Sequence, residues 1–167
     1  MTLIDLNGTG IWSVEQVLSR YAEYAKKFQI HVPRDLSPSE HSKGDKRWVY
    51  PVMDRVIEGI RDGDLACAEI GVEFIEEDQS FPFGRMLKSN TGRALRRVSL
   101  TEEQKERIRK RIVLMLNAGY LPREFREYAK LGRKIGLGRW MKEINPAPNA
   151  NPWIDWYHQY FKEHAAH

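Results

Sequence analysis

Lysine and arginine crowd one half of this chain. The segment FPFGRMLKSNTGRALRR, residues 81–97, carries Arg85, Lys88, Arg93, Arg96 and Arg97 and no acid. The chemistry available to such groups is attraction to phosphate or carboxylate, with arginine adding a bidentate fork. Residues 85–142 hold 17 Lys/Arg against 5 Asp/Glu, residues 1–84 hold 9 against 15, and residues 143–167 hold 1 against 3. A net charge of +4 therefore conceals a basic region beside an acidic one. That asymmetry points to an acidic partner, or to charge answered inside the molecule.

Three successive helices are expected to present the cations. They are Arg93, Arg96 and Arg97 on the first; Lys105, Arg109, Lys110 and Arg111 on the second; and Arg126, Lys130, Arg133 and Lys134 on the third. Nucleic acid is drawn to such a surface by counterion release, and base contacts or aromatic stacking then add recognition. Aromatic residues are sparse within the basic region. Tyr120, Phe125, Tyr128 and Trp140 are the nearby ones, and Phe125 and Tyr128 fall on an apolar stripe. Glu103 precedes Arg107 by four and Glu106 precedes Lys110 by four, so part of the charge is expected to stabilise its own helix. Arg126, Lys130 and Arg133 have no such acid on their strip and are the strongest candidates for an outside partner. Arg133 and Lys134 also close a helix, where cations oppose the negative end of the dipole.

Other reactive groups are poorly placed for catalysis. Cys67 lies within an apolar stretch, which suits a buried structural thiol. A nucleophile needs a base in reach and a group to orient that base, and no GxSxG elbow is present. GRMLKSNTG lacks the glycine spacing of a phosphate-wrapping loop. His31, His41, His158, His164 and His167 form no i,i+4 pair, and one cysteine cannot build a thiolate zinc site. The acidic row Glu69, Glu73, Glu76 and Glu77 lacks a facing Glu-x-x-His for a di-metal centre. No catalytic residue, metal or cofactor is assigned.

The elements that must position these groups read as helices. SVEQ places a capping box at Ser13, and Val14, Val17, Leu18, Tyr21, Ala25 and Phe28 follow at helical spacing. Residues 33–47 have little to bury and read as a long mobile loop. Val52, Met53, Val56, Ile57 and Ile60 make the next stripe, ended by Gly63, after which Asp64 caps the following helix. That helix buries Leu65, Ala68, Val72 and Ile75 and aligns its acidic row on the other side, to be answered by solvent or by a basic neighbour. In the basic segment Met86, Leu87, Thr91, Ala94, Leu95 and Val98 are expected inside, with Arg85, Lys88, Ser89, Arg93, Arg96 and Arg97 outside; Gly92 raises the alternative of a turn. Thr101 and Gln104 form a second capping box, and Gly119 closes that helix. Leu121, Phe125, Tyr128, Leu131 and Ile135 mark the next.

NPAPNANP, residues 145–152, has linker composition. Beyond it Trp153, Trp156, Tyr157, Tyr160 and Phe161 make an aromatic stripe, which either folds back onto the core or engages a partner groove. RVIEGIRDGDL at 55–65 overlies RIVLMLNAGYL at 111–121, each a helix, a glycine stop and a leucine beginning the return. Helical hairpins share such features generally. Taken as a repeat, residues 48–136 resemble a short α-solenoid of the HEAT type, which would imply a binding scaffold.

The expected architecture is all-α, with about five amphipathic helices in antiparallel hairpins within residues 1–144, a linker at 145–152 and an aromatic helix at 153–167. MTLIDLNGTGIW has no basic patch leading an apolar run, so no secretory signal is expected and the cytoplasm is the default compartment. The expected function is a non-enzymatic interaction protein that binds an acidic protein or its own copy. The alternative is nucleic-acid binding through residues 85–142. Neither a membrane nor a small-molecule substrate is indicated.

Overall fold

Helix caps foreseen in the sequence open three helices of the computed structural model, which describes residues 1–78, 83–148 and 151–164. Phe81 and Pro82 of the basic segment, Asn149 and Ala150 of the linker, and His167 lie outside the described residues. Helix α1 (Val14–Lys27) starts where Ser13 Oγ accepts from the Gln16 amide. Helix α2 (Val52–Arg61) turns directly into α3 (Leu65–Glu76), where Asp64 accepts from the amides of Ala66 and Cys67. After α4 (Gly84–Leu95), α5 (Glu102–Ala118) opens on the reciprocal capping box of Thr101 and Gln104. Helix α6 (Phe125–Ile135) is joined by a 3-10 turn, Gly138–Glu143, to the segment leading to α7 (Pro152–Glu163). Among the described residues six α-helices thus precede the aromatic one, against an expectation of about five.

Residues 33–47 are not a structureless loop. They contain strand β2 (Glu40–Lys43) and the start of β3 (Lys46–Val49), which with β1 (Thr2–Asp5) form a small sheet in the order β1-β3-β2. β1 runs parallel to β3 and β2 antiparallel to it. Every residue of β2 is exposed, so the apolar alternation that announces a half-buried strand is missing. The stretch before the hairpin is tied down as well. Leu36 is buried, the Arg34 amide donates to Tyr21 Oη, and Arg55 donates to Ser37 O and Ser39 Oγ.

Helix α3 is apolar on almost every side and occupies the centre, packed against α1, α2, α4 and α5. These four are its nearest helices in sequence, and together they make a mostly helical fold that carries a small three-stranded sheet. All five residues of the predicted α2 stripe are buried.

Helix α4 is continuous through Gly92, which faces α6. A β-carbon at that position would come within 3.3 Å of Glu127 Cβ and 3.4 Å of Tyr128 Cδ1. Close approach of two helices, and not a turn, accounts for the glycine. The register of α4 also differs from expectation: Met86 is exposed, whereas Lys88 is buried and donates to Glu77 O. The apolar stem of Lys88 fills space while its ammonium lies 5.6 Å from the Phe74 ring.

Candidate anion-binding groove

Much of the predicted basic surface is consumed by the fold. Arg107 spans two acids of α3, donating to Glu69 at 2.6 Å and also to Glu76. Gln104 Nε2 adds a 3.0 Å bond to Glu69, which is buried, so a basic neighbour and not solvent answers it. Arg111 donates to Ile75 O at 3.0 Å and to Asp78, and Arg20 meets Glu73 at 3.2 Å. The acidic row on α3 is therefore answered from α1 and α5.

Two foreseen i,i+4 pairs are replaced by these arrangements. Arg107 goes to α3 and not to Glu103, while Glu106 takes Arg109, Arg139 and the Trp140 indole instead of Lys110. Arg109 belongs to the scaffold, since it donates to Ile135 O at 3.0 Å and Gly136 O at 2.7 Å, satisfying the end of α6. It is thereby withdrawn from the candidate contact set.

The remaining cations gather around α6. Glu127, 7% exposed at its side chain, lies beneath three of them: Arg93 and Arg96 of α4, each at 3.4 Å, and Lys130 at 3.8 Å. Lys134 donates to Arg96 O, so its ammonium also closes the C-terminal end of α4. Among the described residues Arg123, Arg126 and Arg133 make no ion pair, and all three are exposed. Arg126 and Arg133 stand about 10 Å apart along the helix, at 1.5 Å per residue. Arg97 and Lys110 are exposed too, but they line neither of the grooves described next.

Helix α7 returns against α6 and brings the aromatic groups that the basic region itself lacks. Ile154 and Phe161 are buried, and Tyr157 meets the Phe125 ring edge-on at 4.8 Å between centroids. Burial raises the Tyr157 phenol pKa, and Arg126 nearby pulls it partly back. Fixing those three side chains inward leaves Trp153 and Trp156 outside, 56% and 51% exposed. Trp156 stacks on Tyr160 with centroids 5.5 Å apart and planes 14° from parallel, and Trp153 meets Trp156 edge-on at 5.7 Å. The aromatic stripe thus both docks and displays.

Between α6 and α7 lies a groove of about 630 Å³ lined by Arg123, Arg126, Lys130, Trp153, Trp156 and Tyr160, among others. A second hollow of about 680 Å³, lined by Arg96, Lys130, Arg133, Lys134 and Tyr160, shares Lys130 and Tyr160 with the first. Among the described residues no carboxylate lines either one. Aromatic faces bordered by cations, of which Arg123, Arg126 and Arg133 make no ion pair among the described residues, can hold an anion and a planar group together. The aromatics that neighbour these cations in the chain are not the ones at the groove. The signal for the rest was the stripe beyond a proline-rich linker, which allows a helix to return.

Cys67 is fully buried, and desolvation raises its thiol pKa far above the usual range, so the thiolate needed for nucleophilic work is suppressed. Among the described residues no group of three or more His, Cys, Asp or Glu is arranged to hold a metal ion, and no helix is long and apolar enough to cross a membrane. No family model matches this chain, and neither a curated protein nor a solved structure matches it.

Proposed function

We propose that this is a non-enzymatic binding protein that engages nucleic acid through the face formed by α4, α6 and α7. The observation that carries this reading is that Arg123, Arg126 and Lys130 line one groove with the exposed indoles and Arg133 lines the adjoining hollow with Tyr160, with no carboxylate among the described residues lining either. Cations alone would suit an acidic protein equally. The aromatic border favours a partner that offers planar groups together with its charge. A cytoplasmic setting fits the reading, because a buried free cysteine is at ease in a reducing compartment.

The test is binding of labelled single-stranded and duplex oligonucleotides at low salt, followed by fluorescence anisotropy. Combined charge reversal, Arg126→Glu with Lys130→Glu and Arg133→Glu, is expected to weaken binding by about 100-fold or more at about 50 mM salt. Absence of binding at low salt would remove nucleic acid as the partner. Oligomers that dissociate as salt rises, in a protein indifferent to oligonucleotides, would instead assign the face to a second copy of the chain.

A further inference from the structure

The α6–α7 groove narrows the class of nucleic acid, and this step rests on the reading just proposed. We infer that the ligand is a single strand, its unpaired bases stacked on the Trp153, Trp156 and Tyr160 rings while its phosphates follow Arg123, Arg126, Lys130 and Arg133. Duplex bases are already stacked on one another and present only their edges in the grooves, so a flat aromatic surface gains little from them. An unpaired base offers a π-face of its own, and an indole accepts any of the four.

The way α7 is held supports a platform of this kind. Its docking is accomplished by Ile154, Tyr157 and Phe161, which leaves two of the largest apolar side chains in the chain outside at the groove. Trp156 and Tyr160 are nearly coplanar in orientation, and Trp153 stands at 69° to Trp156. The rings brace one another, so ordering them on binding costs little side-chain entropy. Lys130 and Tyr160 border both hollows, so the path inferred for the strand runs past these two side chains from the indoles to the cluster of Arg96, Arg133 and Lys134. A strand lying along that path meets stacking at one end and charge at the other.

Two other occupants predict different behaviour. An acidic peptide would use the cations without requiring the indole faces. A lipid surface would need an apolar helix face free to insert, and the Ile154–Phe161 face of α7 is already spent on the core.

The experiment compares oligo(dT) and oligo(rU) of about 20 nucleotides with a duplex of equal length, and adds vesicles containing phosphatidylglycerol. Wild-type protein is expected to bind single strands of either sugar at least about tenfold tighter than duplex. Trp156→Ala is expected to weaken single-strand binding by about 5- to 150-fold, the range that the loss of one stacked base implies. Its salt slope should not change, and Trp156→Phe should recover most of the loss. Both indoles are exposed, so the variants should melt as wild type does, which separates lost stacking from lost folding. Equal affinity for duplex and single strand, with Trp156→Ala neutral, would overturn the stacking inference and leave nucleic-acid binding standing. Failure of every oligonucleotide to bind would overturn the reading beneath it, and preference for the vesicles would overturn both.

Discussion

Glu106 gathers three donors: Arg109 at 2.8 Å, the Trp140 indole at 2.9 Å and Arg139 at 3.1 Å. Chiefly the Trp140 bond, and then the two arginines, bring its carboxyl from the ordinary 4.5 down to about 2. A carboxyl with a lowered native pKa contributes stability that is present above its unfolded value and lost as the pH falls through the native one. Wild-type protein should therefore be more stable than Glu106→Gln at pH 6. That difference should shrink as pH drops from about 4.5 toward 2, since the unfolded chain then takes up a proton the native Glu106 resists. Thermal melts of the two proteins across this range check it. A gap that stayed constant with pH would mean that the carboxylate charge contributes nothing there. The role of Glu106 is to attach the 3-10 turn to α5, which in turn fixes the exit of α6.

At the scale of elements, α7 divides its aromatic residues between two tasks. Phe161 is buried, and Phe161→Ala is expected to cost about 3 kcal/mol or more, as large-to-small changes in a core do. Trp156→Ala removes an exposed ring and should stay within about 0.5 kcal/mol of wild type. Urea unfolding of both variants separates the cases; equal losses would place Trp156 in the core. Periodicity alone marks Trp153, Trp156, Tyr157, Tyr160 and Phe161 as one stripe and cannot say which edge docks. The helices were legible from their caps: Ser13, Asp64 and Thr101 each accept the amide bonds that their position in the chain requires. The β2–β3 hairpin was not legible, because its pairing is carried by backbone bonds between residues such as His41, Ser42, Lys46 and Arg47 that bury little. Local pattern puts Lys88 outside α4 because a charge is normally solvated, but its burial with a bond to Glu77 O follows from tertiary contact that no local pattern encodes.

Across the whole molecule, charge serves two ends. The acidic row of α3 is matched by Arg20 and Arg107, which join α1 and α5 to the central helix. Arg126 and Arg133 have no matching acid among the described residues. Arg107→Ala leaves the buried carboxylate of Glu69 with Gln104 as its remaining donor and should cost about 2–3 kcal/mol of stability. Arg126→Ala should change stability by about 0.5 kcal/mol or less. Thermal denaturation distinguishes them; a large loss for Arg126→Ala would show that its guanidinium supports the fold. The position of the proposed binding face was half legible. Arg126 and Arg133 stand out because no acid lies four residues away on their side, whereas Lys130, grouped with them, meets Glu127 three residues back. The aromatic border does not, because Trp153 and Trp156 reach the face only through the return of α7.

The salt dependence of single-strand binding tests this partition most directly. The slope of log K against log salt should become shallower by about 0.7 for each phosphate contact removed, and it should do so in Arg126→Gln and in Arg133→Gln. In Arg109→Gln and Lys110→Gln the slope should match wild type. Equal slopes in all four variants, or a loss confined to Lys110→Gln, would contradict the assignment of the α6 face as the binding surface.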